Sequence, residues 1–252
     1  MCSLCAPQAV TDDENGPGGS PVSVRRLPGP MLRRRAARQP TGMPYPGCSE
    51  YHPTCSYADL DLRARAVAAR LGVLLPPGSR VMLAYLPGTD LAGALYGCLY
   101  AGMTAVPFVP LGPAGADPSG AAVAVKHAAE RTKVQAVLTG GDSLMSLGLD
   151  RRRTPVVEAD GYRVGGDPLW RLAESWQPVG VLRTADAYQR YVPDGTLGGR
   201  LEPPIRHGDL GVVLAELAHA ARLGTSQESV GWIAAVHGIE EAVWRILLPV
   251  HC

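Results

Sequence analysis

Residues 80–109, RVMLAYLPGTDLAGALYGCLYAGMTAVPFV, decide the fold of this chain. Residues 80–86 form a short apolar run that is typical of a buried strand, and residues 87–90 then open a helix over residues 91–102. A second apolar run at residues 104–109 predicts another buried strand. A strand, a helix and a strand in this order predict one unit of a parallel sheet.

The same alternation extends to both sides of this unit. Upstream, Ser56 is a candidate helix cap, the apolar positions Leu60, Ala64, Val67 and Leu71 recur at helical spacing, and Gly72 is expected to end the helix. Downstream, the pattern predicts a helix at residues 121–131 and a strand at residues 134–139. We therefore predict a three-layer α/β domain with a parallel sheet.

The chain divides into three predicted parts. Residues 1–25 are rich in Gly, Pro, Asp and Ser and predict a mobile leader. Residues 26–176 form a first α/β subdomain, and residues 177–252 form part of a second one. Weaker patterns predict a basic helix at 31–38, a strand at 154–158, a helix at 210–223, a strand at 230–236 and a helix at 240–248.

Composition excludes several classes of protein. With 46% hydrophobic residues, 19% charged residues and a formal net charge of +1, the chain has no basic excess that would favour nucleic acid. We interpret the arginines of residues 33–35 as a solvated helix face. The apolar stretch at residues 92–109 is interrupted by glycines and a proline, so we predict no membrane span.

The six cysteines are widely spread, and no secretory segment precedes them. A cytoplasmic, reduced chain is the simplest interpretation. Cys2 and Cys5 have Cys-x-x-Cys spacing but lack a second pair at ligand spacing, so no metal site is predicted.

Several motifs occur in the order of a known family. Residues 56–71, SYADLDLRARAVAARL, residues 97–107, GCLYAGMTAVP, and residues 32–40, LRRRAARQP, resemble the N-terminal part of the acyl-adenylate-forming ligases. The resemblance is closest to the fatty acyl-AMP ligase branch. It implies the N-terminal subdomain fold of that family, ATP and magnesium as cofactors if activity survives, and an acyl carrier protein as a partner.

The resemblance also places a phosphate loop. Residues 187–200, AYQRYVPDGTLGGR, lie where the family carries Y-T-S-G-S-T-G-x-P-K-G, a loop that wraps the ATP phosphates. Thr196 and Arg200 fall on the threonine and lysine positions and are the ATP-binding candidates. Pro193 removes a backbone donor and Asp194 adds negative charge, so a degenerate phosphate loop is predicted.

Two further segments match family motifs in part. Residues 206–210, RHGDL, resemble S-H-G-N-L, and His207 is interpreted as a helix-entry residue without a chemical role. Residues 230–239, VGWIAAVHGI, lie where the family has W-L-P-x-Y-H-D-M-G near its acyl pocket. Trp232 and His237 are therefore substrate-binding candidates, with core packing as the alternative.

The functional expectation follows from these differences between the sequence and the family motifs. In the family, the adenine contacts, the magnesium-binding glutamate and the adenylation lysine would follow residue 252. We expect an acyl-AMP ligase-like fragment that is catalytically incompetent alone, with no catalytic or metal residues and at most a binding or interaction role. One alternative is half of a split fatty acyl-AMP ligase completed by another chain. Another is an unrelated small-molecule-binding α/β domain.

The last expectation concerns partners. If further strands complete a second sheet in the relatives, this chain should leave a sheet edge uncovered and favour self-association or a protein partner. The predicted exposed apolar residues are Ile233, Val236, Ile246, Leu247 and Leu248.

Overall fold

The computed structural model describes residues 28–38, 55–110, 118–140, 148–194, 198–223 and 239–251. Helices and strands alternate along most of these ranges. The helices are α1 Pro28–Arg38, α2 Tyr57–Leu74, α3 Thr89–Tyr100, α4 Pro118–Thr132, α5 Leu169–Ser175, α6 His207–Ala220 and α7 Ile239–His251. The strands are β1 Arg80–Ala84, β2 Thr104–Phe108, β3 Ala136–Thr139, β4 Val156–Glu158, β5 Arg163–Val164, β6 Asp167–Pro168, β7 Asp186–Tyr188, β8 Tyr191–Asp194, β9 Gly198–Leu201 and β10 Ile205–Arg206.

A six-stranded sheet lies at the centre, in the order β10-β7-β2-β1-β3-β4. Strand β1 pairs in parallel with both β2 and β3, with Val81 opposite Ala105 on one side and Ala136 on the other. The prediction of three neighbouring parallel strands is confirmed. Strands β4 and β7 extend the sheet in parallel, while β10 pairs antiparallel with β7.

Both faces of the sheet are covered, as a parallel sheet requires. Successive side chains of a strand point to opposite faces, so Val81 and Leu83 join one hydrophobic cluster, with residues of α1, α2, α3, α6 and α7. Met82 and Ala84 join a second cluster, with residues of α4 and Tyr191. The predicted three-layer α/β architecture is confirmed.

The predicted boundary between residues 176 and 177 falls directly after α5. Strands from both sides of that boundary, β2 and β7, pair within the same sheet. The division into two subdomains stays a prediction. The predicted strand at residues 230–236 and the leader lie outside the described residues.

Helix α2 begins as predicted and ends later than predicted. The Ser56 side chain accepts a hydrogen bond from the Asp59 backbone N–H, and the Asp59 carboxylate accepts one from the Ser56 N–H, which forms a capping box. Gly72 does not end the helix, which continues to Leu74. Leu75 is extended at φ −139° and ψ 145°, because it precedes Pro76 and the residue before a proline avoids the helical region.

One apolar prediction about α7 is wrong. Ile246, Leu247 and Leu248 were expected at an exposed surface, but they are only 4%, 1% and 5% exposed. The helix packs against α1, α6 and β2. Arg35 Nη2 and Tyr57 Oη also donate hydrogen bonds to the Pro249 carbonyl, at 3.0 and 3.3 Å. Ile233 and Val236 lie outside the described residues.

Helices α2 and α3 cross closely at a glycine, and this contact supports a stability prediction. A methyl group added at Gly97 would lie 2.5 Å from Val67 Cβ and 3.3 Å from the Ala64 carbonyl oxygen. We expect Gly97→Ala to lower the free energy of unfolding by about 2 kcal/mol, because overpacking a tight core forces side chains and backbone to shift. Urea denaturation followed by circular dichroism measures the change.

The matched control is Gly72→Ala in α2, where an added methyl group meets nothing within 4 Å. This variant is expected to gain about 0.5–1 kcal/mol, because alanine loses less backbone entropy in a helix than glycine does. Equal stabilisation of both variants would mean that α2 and α3 do not pack as closely as described.

No helix of the described residues combines the length and apolar character needed to cross a bilayer.

Candidate functional site: the β8–β9 hairpin

The segment predicted to be a degenerate phosphate loop includes an antiparallel hairpin. Strands β8 and β9 pair from Tyr191 opposite Leu201 to Asp194 opposite Gly198. Residues 195–197, including the candidate Thr196, lie outside the described residues. The candidate Arg200 is exposed on β9 and lies opposite Val192.

Tyr191 fixes the hairpin to the domain. Its side chain is 7% exposed in the α4-side cluster and meets the Phe108 ring edge-on, with the ring centroids 5.3 Å apart. Its hydroxyl donates a hydrogen bond to the Gly198 carbonyl at 3.0 Å. Burial raises the pKa of this hydroxyl, so it stays a donor at neutral pH. The sequence carries no signal for this packing role, because it depends on contacts with distant residues such as Phe108.

Two glycines let the strands approach closely. A methyl group at Gly199 would lie 2.6 Å from Tyr191 Cε2, and one at Gly198 would clash with the Asp194 carbonyl oxygen. At the base of the hairpin, Arg190 and Glu202 form an ion pair at 3.6 Å, and the Glu202 N–H donates to the Arg190 carbonyl at 2.9 Å. Contacts between Arg190 and Glu202 therefore hold the base of the hairpin, and the hydrogen bond from Tyr191 to Gly198 holds the part near its tip.

The chemistry at the tip opposes anion binding. Pro193 and Asp194 are both exposed on β8, immediately before the tip. Proline has no backbone N–H to offer a phosphate oxygen, and the aspartate carboxylate repels it. Arg200 faces the same side of the hairpin as Asp194, because side chains two residues apart share a face and Arg200 pairs with Val192. One cation and one anion therefore share this surface.

His207 lies at the opposite end of β7 from the hairpin. It begins α6, and its backbone N–H donates to the Ala185 carbonyl at 2.9 Å, just before β7 begins. The hairpin instead follows the end of β7. The structure therefore does not bring His207 and Arg200 together, in agreement with the interpretation of His207 as a helix-entry residue.

The surroundings of His207 are nonetheless unusual for a histidine. The residue is 2% exposed, and Nε2 has no hydrogen-bond partner within the described part of the chain. Desolvation lowers its pKa to about 4. The imidazole is therefore neutral near pH 7.

Trp232 and His237 lie outside the described residues, so their predicted acyl-pocket role stays a prediction. The described residues contain no group of three His, Cys, Asp or Glu side chains that could hold a metal ion. Pro193 and Asp194 do not fit a triphosphate, because the proline has no backbone N–H and the aspartate carboxylate repels phosphate oxygens.

The fold is that of the N-terminal part of acyl-adenylate-forming enzymes. The fatty acyl-adenylate ligase of L. pneumophila, solved with acyl adenylate and pyrophosphate, superposes with a TM-score of 0.69 at 23% identity over 90% of this chain. A nonribosomal peptide synthetase bound to AMPPNP superposes with a TM-score of 0.67 at 19% identity, again over 90% of this chain.

A local sequence match points to the same branch. The chain is 43% identical over 58 residues to a medium-chain-fatty-acid–[acyl-carrier-protein] ligase of Moorena producens (strain JHB). That match covers 23% of this chain and 10% of the relative. No family model matches the chain. The recognised likeness to an N-terminal portion of the fatty acyl-AMP ligases is thus confirmed, and the chain spans 38% of the length of the L. pneumophila ligase.

Proposed function

We propose that this chain is an acyl-AMP ligase-like binding module that does not form acyl-AMP by itself. The observation that carries the proposal is the placement of Pro193 and Asp194 at the tip of the β8–β9 hairpin. Adenylate formation depends on positioning and neutralising the ATP phosphates, and this tip lacks a donor and carries an opposing charge. The Arg190–Glu202 ion pair and the hydrogen bond from Tyr191 to Gly198 hold the hairpin in place, which supports a retained binding or interaction role.

The activity prediction follows directly. Purified protein supplied with a medium-chain fatty acid, ATP and magnesium is expected to release no pyrophosphate above background. A coupled pyrophosphate assay measures this, with the acid omitted as the control. Acid-dependent release that Arg200→Ala abolishes would overturn the proposal and assign catalysis to the hairpin.

The alternative is half of a split fatty acyl-AMP ligase. The retained Arg200, the Tyr191 anchor and the complete β2-β1-β3 sheet favour it. A separate chain that supplies the remaining length of a relative would then restore pyrophosphate release. Failure of such complementation, with both chains folded, would leave the binding-module proposal.

Partners and location are part of this proposal. The Moorena relative is a ligase for an acyl carrier protein, which makes a carrier protein the first candidate partner here. The second candidate interaction is association of this chain through an open sheet edge, to which the buried residues Ile246, Leu247 and Leu248 do not contribute. We also propose a cytoplasmic location and no nucleic-acid partner.

A further inference from the structure

A cavity of about 740 Å³ lies away from the β8–β9 hairpin. It is bounded by α1, the end of α3, residues 176–181 and His207. This volume is within the usual range for small-molecule sites. Residues 176–181 precede β7 and the hairpin follows it, so the cavity and the hairpin are near opposite ends of β7.

The floor of the cavity is apolar, aromatic and fixed in position. Tyr100 and Trp176 stack with their ring centroids 5.0 Å apart and an angle of 25° between the planes. The Tyr100 hydroxyl donates a 2.6 Å hydrogen bond to Asp61, and Arg65 holds the same carboxylate at 2.9 Å. Leu99 and Val181 complete the apolar surface. An apolar ligand group could lie against the exposed parts of Trp176, Val179 and Val181 without moving the two rings.

The rim is basic. Arg33, Arg34 and Arg38 of α1 line the cavity, and all three are exposed at its mouth. The Arg33 guanidinium lies over the Trp176 ring, 5.2 Å from its centroid, in a cation–π contact that joins the rim to the aromatic floor. No Asp or Glu is among the described residues that line this cavity. The arginines would therefore attract an anionic ligand group, and no carboxylate of the described lining residues would repel it.

His207 closes the inner wall of the cavity and is only 2% exposed. Its Nε2 makes no hydrogen bond to any described residue and is buried away from the cavity space, so this wall offers a ligand packing surface and no polar contact from that atom.

We propose that this cavity is a binding site for a small organic carboxylate with an apolar body. The apolar body lies against Trp176, Val179 and Val181, and the carboxylate lies beside the α1 arginines. The site is separate from the hairpin and does not depend on the proposed function.

Isothermal titration with 2-naphthoate tests the proposal, with 2-naphthylmethanol as a neutral probe of the same shape. We expect one naphthoate per chain and at least about tenfold weaker binding of the alcohol, because two or more exposed charge contacts are lost. The double variant Arg33→Gln/Arg38→Gln should weaken naphthoate binding to a similar extent. Arg152→Gln, which removes an exposed arginine in a distant turn, should leave it unchanged.

A second variant locates the probe. Gly180 lines the cavity, and a side-chain atom added there meets nothing within 4 Å. Gly180→Phe is therefore expected to fill the space and abolish naphthoate binding without lowering the unfolding temperature. In ¹⁵N-labelled protein, naphthoate should shift the Trp176 indole N–H resonance, because Trp176 lines the cavity.

Three results would overturn the site. They are no binding of naphthoate, equal binding of the acid and the alcohol, and naphthoate binding that is unchanged by Gly180→Phe in a folded protein.

Discussion

Restoring a hydroxyl and a glycine at the hairpin tip, by Pro193→Ser together with Asp194→Gly, is expected to strengthen MgATP binding by up to about a thousandfold. Two unit charges ~4 Å apart at an effective dielectric of ~20 repel by about 4 kcal/mol, and each 1.4 kcal/mol is a factor of ten in affinity. Because Asp194 is exposed, solvent screening makes this an upper limit. Isothermal titration with MgATP and with pyrophosphate measures the change.

Single variants separate charge from geometry. Asp194→Asn removes only the charge and should recover most of the gain, while Pro193→Ser restores one backbone donor and should recover less. A gain from Pro193→Ser alone that equals the double variant would mean that geometry, not charge, limits binding.

The matched control is Glu202→Gln at the base of the same hairpin. Tyr191 lies opposite Leu201, so Glu202 is level with Arg190 on the partner strand. Asp194 is therefore about four residues from Glu202 along the hairpin. At ~3.3 Å per residue this is ~13 Å, beyond the Debye length of ~8 Å at physiological salt. The control should therefore change MgATP affinity little. An equal gain in the control would show that MgATP affinity depends on the net charge of the protein and not on the position of Asp194 at the tip.

The stability of the protein should fall in mild acid because of His207. Burial holds the pKa of His207 at about 4, below the ordinary value of 6.5. Between these two values the unfolded chain binds a proton that the folded chain does not, so acid favours unfolding. The contribution of the neutral histidine is complete above pH 6.5 and is lost as the pH falls towards 4.

The expected size is about 3 kcal/mol across the whole window, at about 1.4 kcal/mol for each pKa unit. Urea denaturation at about pH 7.5 and about pH 5 should show a loss of about 2 kcal/mol that is absent in His207→Gln. Glutamine retains a polar side chain but does not titrate. Parallel loss in both proteins would assign the acid sensitivity to other groups.

Local sequence determined the centre of this protein. The apolar runs of residues 80–86 and 104–109 predicted strands β1 and β2, because a strand buried on both faces needs an almost continuous apolar sequence. Ser56 marked the start of α2, since its capping hydrogen bond involves only residues within three positions. The motifs in these segments were also sufficient to recognise the family whose fold the structure shows.

Tertiary structure decided what depends on distant contacts. Strands β7 and β10 have three and two residues, too few for a periodic signal, and they form because the edge of β2 pairs with β7. The burial of α7 results from packing on α1, which is about two hundred residues away in sequence, as the Arg35–Pro249 hydrogen bond shows.

The position of His207 could not be predicted for the same reason. Only six residues separate it from Arg200, yet β10 runs antiparallel to β7 and places it at the opposite end of β7 from the hairpin. The cavity beside it combines side chains from α1, α3 and residues 176–181. A sequence pattern records neighbours along the chain, whereas the pKa of His207 and the floor of that cavity are set by segments that meet only when the sheet and its two helical layers assemble.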